Sequence, residues 1–246
     1  MERLIEMPPP VGILDNGKLY AQVYGNGFPL LMIHGNYGSG QAFSKLIPVL
    51  SQHFRLILPD LPKHGNGPAS LVGFVENPQV SVDYCIKILK YFNVRACHVC
   101  GHSLGGMIAL LLSEVFPLTS IALLDSYVDI NERPPGFTNF HFPDCEPRIR
   151  NKIDEAMNYG PGVDWHYSFN YSEQAKRIKC PVLELQGESA PNTDKEFLNW
   201  QKEKRADFPQ NWKITRVPKS GHFIQIEQPN FVLERLTEFW NLNTGI

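Results

Sequence analysis

The strongest chemical signal in the chain is the sequence GHSLGG at positions 101–106. It follows an apolar run, 96–100, and opens an apolar segment with the length of a helix, 104–116. A tight strand-to-helix turn of this kind holds a serine with its hydroxyl above the sheet, and the flanking glycines avoid collisions with the neighbouring strand and helix. The helix N-terminus adds partial positive charge near a developing oxyanion. Ser103 is therefore predicted to be a nucleophile for acyl transfer.

A serine nucleophile needs a base, and the sequence contains eight histidines that are candidates for it. His222 lies in a Ser-Gly-His loop between the last predicted strand and the last predicted helix, where no apolar neighbour requires a ring. Six of the other seven histidines are expected beside the two glycine-containing turns (His34, His102), in a structural turn (His64), inside a strand (His98) or in an irregular segment (His141, His166), and His53 is given no role. His222 is the candidate general base.

The elements that must position these residues alternate between strands and helices. Apolar runs and alternating patterns predict strands at 11–14, 19–24, 30–33, 54–58, 96–100, 121–124, 181–185 and 212–217. Helical spacing of apolar residues predicts helices at 80–92, 104–116, 194–205 and 230–240. Asp15-Asn16-Gly17 is typical of a hairpin turn between the first two strands. The alternation predicts an α/β fold with a mostly parallel central sheet and helices on both faces.

Regular patterning breaks down after residue 125. Five prolines and many aromatic residues interrupt the stretch 126–179, and a structureless loop of this length is unusual in a compact domain. Ligands of parallel sheets bind at the carboxyl ends of the strands. We therefore predict a core made of 1–125 and 180–246, and a small lid containing short helices, 126–179, inserted over that edge.

The composition excludes several classes of protein. A chain of 246 residues with a net charge of −2 suits one α/β domain with an insertion and gives no electrostatic reason to expect nucleic acid as a partner. Glu2 and Glu6 precede three prolines, unlike an export signal, and no run approaches the roughly 18 apolar residues of a membrane span. Five irregularly spaced cysteines favour reduced thiols, so we expect a cytoplasmic protein.

Four segments together resemble the α/β-hydrolase superfamily, in particular its lid-bearing serine esterase and lactonase-like branch. They are LMIHGN at 31–36, DLPKHG at 60–65, GHSLGG at 101–106 and SGHF at 220–223, and the resemblance covers nearly the whole chain. It implies that Ser103 is the nucleophile, that His222 is the general base, and that the backbone N–H groups of Asn36 and Leu104 form the oxyanion hole. No metal-binding histidine motif or dinucleotide-binding glycine motif occurs in the sequence, so no cofactor and no metal are expected.

The acid that completes the site departs from the pattern common in that superfamily. Many members place an aspartate about three residues past the glycine that ends the next-to-last strand, but here that glycine is Gly187 and the position is Ala190. A carboxylate is needed because it fixes the tautomer of the imidazole and stabilises the imidazolium. Asp125, at the end of the predicted strand 121–124, is the predicted acid. Glu188 and Asp194 remain alternatives.

The expected reaction is cleavage of a carboxylic ester, lactone or thioester in a small molecule, through an acyl-enzyme intermediate. The aromatic residues of the predicted lid are consistent with an apolar pocket. Because position 190 carries no acid, a second hypothesis is that the chain is a non-catalytic module that only binds its ligand. Acyl transfer to an acceptor other than water, or hydrolysis of a carbon–carbon bond, would use the same residues.

Overall fold

The chain folds around one central sheet. A computed structural model describes residues 12–36, 38–69, 77–132, 169–188 and 194–242. Among these residues the strands are β1 (Ile13–Leu14), β2 (Leu19–Tyr24), β3 (Phe28–Ile33), β4 (Phe54–Pro59), β5 (Cys97–His102), β6 (Leu118–Leu124), β7 (Val182–Gln186) and β8 (Trp212–Arg216). Their order across the sheet is β1-β2-β4-β3-β5-β6-β7-β8.

The six strands β4, β3, β5, β6, β7 and β8 lie side by side in that order and are all parallel. β2 pairs antiparallel with both β1 and β4. The centre of the sheet is β3, where Leu31 is in register with Ile57 on one side and Val99 on the other. Parallel strands end at a common edge of the sheet. The residues that follow β3, β5, β6, β7 and β8 therefore meet there, and these include every residue of the predicted site.

Helices cover both faces of the sheet. They are α1 (Ile47–Leu50), α2 (Pro78–Tyr91), α3 (Leu104–Leu112), α4 (Ser172–Lys176), α5 (Asp194–Lys204), α6 (Ile224–Glu227) and α7 (Pro229–Phe239), with short 3₁₀ turns at Asp15–Gly17, Gly40–Phe43 and Ile130–Glu132. The predicted mostly parallel sheet with helices on both faces is confirmed. The short helices α1 and α6 were not expected, because four residues carry too little periodicity to be recognised, whereas α4 lies within 126–179, where short helices were predicted.

The central strand shows how its apolar run serves two cores. Leu31 and Ile33 pack in a cluster with α2 and α3, whereas Leu30 and Met32 pack in a second cluster with α1 and α7. Successive side chains of a strand point to opposite faces, so a continuous apolar run is what a strand covered on both sides requires. Burial of each such side chain stabilises the fold by roughly 1.5–3 kcal/mol.

The hairpin predicted at the N-terminal end is confirmed. Asp15–Gly17 forms a 3₁₀ turn between the antiparallel strands β1 and β2. Gly17 has a φ of 84°, a conformation that glycine adopts without a steric penalty. The helix predicted at 104–116 is shorter than expected and ends at Leu112. Beyond it, the hydroxyl of Ser113 donates a hydrogen bond to the carbonyl oxygen of Leu110 at 2.6 Å, which closes the last turn.

Most of the predicted lid, 126–179, falls outside the described residues. The segments at its two ends are described, and they meet. The backbone N–H of Tyr171 donates to the carbonyl oxygen of Val128 at 2.8 Å, and Asp129 forms an antiparallel bridge with Asn170. The two described ends of 126–179 therefore lie beside each other, and the division into a core and a lid stays a prediction.

A buried ion cluster joins the first of these segments to the sheet. The guanidinium of Arg205 binds both carboxylate oxygens of Glu184 at 2.7 and 2.9 Å and both of Glu132 at 2.5 and 3.0 Å. Trp212 and Gln186 donate further hydrogen bonds to Glu184. Burial alone would lower the pKa of Arg205, but the two carboxylates outweigh it and raise that pKa. The arrangement satisfies these buried charges, as a buried ion pair requires.

Candidate active site

The candidate nucleophile lies at the turn between β5 and α3. Ser103 has φ 52° and ψ −119°, a region that residues other than glycine seldom occupy. Its N–H donates to the carbonyl oxygen of Leu124 at 3.0 Å. Its carbonyl oxygen accepts from the Ser126 hydroxyl at 2.8 Å and from the Gly106 N–H at 2.9 Å. These bonds hold the strained backbone in place from both sides.

The flanking glycines have the steric role that the sequence suggests. A Cβ added at Gly101 would lie 2.4 Å from the carbonyl oxygen of Gly105, and one added at Gly105 would lie 2.0 Å from that of Ile33. Both distances are far shorter than any van der Waals contact. Only glycine therefore lets α3 start this close to β3 and β5.

The candidate base is paired with one carboxylate. Nδ1 of His222 lies 2.6 Å from Oδ2 of Asp125, whose side chain is fully buried. The other oxygen of Asp125 accepts the N–H of Gly187 at 2.6 Å, and the Asp125 N–H donates to Leu185 at 2.7 Å. Both carboxylate oxygens are thus fixed. An Nδ1–H donated to this carboxylate leaves Nε2 of His222 as the nitrogen that can accept a proton.

The loop that carries His222 is held by the helix that follows it. Glu227, at the end of α6, accepts the N–H of Gly221 at 2.7 Å and that of Phe223 at 3.0 Å. The Ser220 hydroxyl donates to the carbonyl oxygen of Val217 at 2.8 Å. The backbone on both sides of His222 is therefore tied to its neighbours, and its ring needs little reorganisation to act.

The other predicted acids have different surroundings. A carboxylate oxygen of Glu188 lies 3.7 Å from the guanidinium of Arg216, and the Glu188 N–H donates to Ser220. Asp194 begins α5, but its side chain lies outside the described part of the chain, as does Ala190. Among the described carboxylates, the geometry favours Asp125 as the partner of His222.

The predicted oxyanion hole combines two backbone segments. Leu104 is the first residue of α3, so its N–H needs no partner within the helix. Asn36 follows β3 in the turn after Gly35, and a Cβ at Gly35 would lie 3.1 Å from Cβ of Ser103. The side chain of Asn36 contacts Nε2 of His64 through its Oδ1 at 3.0 Å. The turn that carries Asn36 thus packs directly against the candidate nucleophile.

His34 supports the same turn through two hydrogen bonds. Its Nδ1 contacts the carbonyl oxygen of Gly35 at 2.7 Å, and its Nε2 contacts the N–H of Leu61 at 3.0 Å. Nε2 must accept from an N–H, so the proton belongs to Nδ1, which donates to Gly35. Burial, helped by the nearby His64, lowers the pKa of His34 from 6.5 to about 3. His34 is therefore a neutral support for the backbone, in line with its expected place.

Two supporting residues were not found from the sequence. Ser126 bonds to the nucleophile turn and Glu227 to the base loop, although neither belongs to the four segments that carry the resemblance. The only sequence signal for Ser126 is its place beside Asp125 after a buried apolar strand. Within the described ranges, no group of three or more His, Cys, Asp or Glu side chains is arranged to hold a metal ion. No helix of those ranges is long and apolar enough to cross a membrane.

Comparison with known proteins bears on this geometry. The family model for the alpha/beta hydrolase fold matches residues 29–158, more than half of the chain. The chain belongs to the α/β-hydrolase fold family. The shared sheet edge and the β5–α3 turn described above are thus features of an α/β hydrolase, as the resemblance of its four segments implied.

Two curated relatives match parts of this α/β hydrolase. It is 36% identical to the magnesium-chelatase 30 kDa subunit of Rhodobacter capsulatus over 111 residues, which cover 45% of the chain and 39% of that protein. It is 26% identical to a serine hydrolase-like protein of Danio rerio over 181 residues, which cover 71% of the chain and 53% of that protein. The chain thus spans only about half, or less, of the length of these two relatives.

A solved structure shows the same fold. The carboxylesterase CesB (YbfK) from Bacillus subtilis superposes with a TM-score of 0.72 over 96% of this chain and 92% of its own, at 17% sequence identity. At this identity the likeness concerns the fold alone.

Proposed function

We propose that this α/β hydrolase is a serine hydrolase that cleaves carboxylic esters, lactones or thioesters through an acyl-enzyme. The observation that carries the proposal is the 2.6 Å contact between Nδ1 of His222 and the buried carboxylate of Asp125, beside a strained turn that presents Ser103. This is the arrangement that a serine nucleophile, its base and the acid behind the base require.

The proposed reaction begins with His222. Its Nε2 takes the proton of the Ser103 hydroxyl as the oxygen attacks the carbonyl carbon of the substrate, and Asp125 stabilises the imidazolium that forms. The backbone N–H groups of Asn36 and Leu104 donate to the oxyanion. The imidazolium then protonates the leaving group, which departs and leaves the acyl group on Ser103. His222 then deprotonates a water molecule, which attacks the acyl carbon, and the imidazolium returns that proton to the Ser103 oxygen as the acid leaves.

The names of similar proteins support the class of reaction. A serine hydrolase-like protein is among the relatives. A lactone is a cyclic ester and a thioester undergoes the same acyl transfer, so one site serves all three. Ser103 also argues against the aspartate nucleophile used by family members that open epoxides.

A panel of p-nitrophenyl esters, lactones and thioesters, assayed with the wild-type protein and with Ser103→Ala as the blank, tests the proposal. Loss of the nucleophile should lower kcat by a factor on the order of 10⁶. A fluorophosphonate probe should form an adduct on Ser103, located by mass spectrometry. Equal turnover by wild type and Ser103→Ala would contradict the proposal. Labelling of Ser103 without turnover of any substrate would point instead to a module that binds its ligand.

A further inference from the structure

His102 makes a contact that the proposed mechanism leaves unused. It is the last residue of β5, immediately before Ser103, and only 1% of it is exposed. Its Nε2 lies 2.8 Å from the backbone carbonyl oxygen of His222, which is 120 residues away in the chain. A carbonyl oxygen can only accept, so Nε2 carries the proton and donates it. The nucleophile turn is thus bonded directly to the backbone of the candidate base.

The ring of His102 also fills the space between three parts of the site. Its centroid lies 4.8 Å from that of His222 and 5.1 Å from that of Phe223. A Cβ at Gly35 would lie 2.8 Å from its Nδ1. The ring therefore packs against both the base loop and the turn that carries Asn36.

The environment keeps this ring in one protonation state. Burial lowers the pKa of His102 well below 6.5, the proximity of His222 lowers it further, and the hydrogen bond to the His222 backbone opposes this only in part. Nδ1 has no hydrogen-bond partner among the described residues, as expected for the unprotonated nitrogen. His102 therefore stays neutral when His222 becomes charged, and its single donor remains directed at the His222 carbonyl.

We propose that His102 is a positioning residue that holds the His222 loop against the nucleophile turn through its Nε2–H. This inference rests on the proposed function, because His222 is taken there as the base. Three titratable groups around His222 then hold three different parts of its loop. Asp125 fixes the ring, Glu227 fixes the N–H groups of Gly221 and Phe223, and His102 fixes the carbonyl of His222 itself.

Two amide variants separate the hydrogen bond from the rest of the side chain. In His102→Gln the amide nitrogen reaches as far as Nε2 of histidine, whereas in His102→Asn it is one methylene too short. With p-nitrophenyl acetate, we expect His102→Asn to lower kcat by about 10- to 100-fold with little change in KM, since misplacement of a catalytic group by about 1 Å costs up to about 100-fold. His102→Gln should recover most of that loss. His102→Phe keeps a ring without the donor and should behave like His102→Asn.

A second readout does not depend on turnover. The proton that His222 Nδ1 shares with Asp125 should give a strongly downfield resonance in the proton NMR spectrum of the wild type, with Asp125→Asn as the blank. The resonance should persist in His102→Gln and broaden or vanish in His102→Asn and His102→Phe. If the wild type cleaves no ester yet shows this pattern, the proposed function fails while the positioning role stands.

Several outcomes would overturn the inference. One is wild-type kcat and an unchanged resonance in His102→Asn and His102→Phe. Another is an equal loss of kcat in the Asn and Gln variants, because reach would then not matter. Thermal unfolding of each variant provides the control for folding. If only His102→Gln folds, the contact is a requirement of the fold rather than of the base, and the positioning role is rejected.

Discussion

The residues at the end of β6 perform two tasks side by side. Asp125 binds Nδ1 of His222, and Ser126 donates to the carbonyl oxygen of Ser103. Asp125 has a φ of 43°, in the left-handed region that aspartate tolerates better than most residues. The dipeptide Asp125-Ser126 therefore supplies both the candidate acid and a hydrogen bond that supports the candidate nucleophile. This explains how the site can be assembled although position 190 is an alanine.

The role of Asp125 remains a prediction that one substitution can test. In Asp125→Asn the amide would present a donor or a weaker acceptor to Nδ1, so His222 would lose the tautomer it needs, and kcat should fall by roughly 10⁴. Glu188→Gln is the matched control, because that carboxylate lies near Arg216, and it should keep nearly normal ester turnover. Near-normal turnover in Asp125→Asn, together with loss in Glu188→Gln or Asp194→Asn, would reassign the acid.

At the scale of elements, the closeness of β6 to the start of α3 depends on a glycine. A Cβ at Gly106 would lie 2.3 Å from Oγ and 2.5 Å from Cβ of Ser126. Glycine usually weakens a helix relative to alanine by about 1 kcal/mol, yet here it lets the helix approach the end of β6. Gly106 therefore lowers the intrinsic stability of α3 but leaves the room that Ser126 needs to reach the nucleophile turn.

Gly106→Ala should therefore destabilise the protein, despite the better helix propensity of alanine. Overpacking costs about 1–3 kcal/mol, and contacts of 2.3 and 2.5 Å favour a cost above the gain of about 1 kcal/mol in helix propensity. Replacement of Ser126 by glycine removes the atoms that clash, so Gly106→Ala/Ser126→Gly should be more stable than the sum of the single effects. Urea unfolding of the four proteins gives the coupling energy. Purely additive free energies of unfolding would mean that the two positions do not contact each other.

At the scale of the whole molecule, several histidines are built into the fold in the neutral state. His34 and His102 are buried and His98 is half-buried, and burial lowers the pKa of each below 6.5. They brace the turn after β3, the nucleophile turn and the start of β5. Because these pKa values are lowered, the folded protein binds fewer protons at mildly acidic pH than the unfolded chain does. Protonation of the histidines that support the site is therefore linked to the stability of the fold.

The free energy of unfolding should consequently decrease as the pH falls below about 6.5. In that range the unfolded chain binds more protons than the folded one, and each histidine contributes up to about 1.4 kcal/mol per pH unit. For His34 the loss should continue down to about pH 3, where its folded form also becomes protonated. Urea unfolding between about pH 7.5 and about pH 5 measures the slope. His102→Gln should show a shallower slope, and a flat profile in the wild type would contradict the prediction.

The sequence by itself determined the fold and the parts of the site that depend on local pattern. The apolar runs of β3 to β7, the hairpin at Asp15–Gly17 and the glycines around Ser103 follow from strand, turn and contact geometry within a few residues. Such features are encoded by neighbours along the chain, so they can be predicted without knowing what lies across the sheet. The short helices α1 and α6 and the end of α3 were not predicted, because each depends on a signal of only a few residues.

Only the tertiary structure decided which distant groups meet. Three carboxylates stood near predicted strand ends, and their spacing could not rank their distances from His222. The sheet order sets β6 beside both β5 and β7, which brings Asp125 within 2.6 Å of a histidine 97 residues away. The bonds of Ser126, Glu227 and His102 to the turns of the site arise in the same way. Hydrogen bonds act over about 3 Å, and residues far apart in sequence reach that distance only after the sheet is assembled.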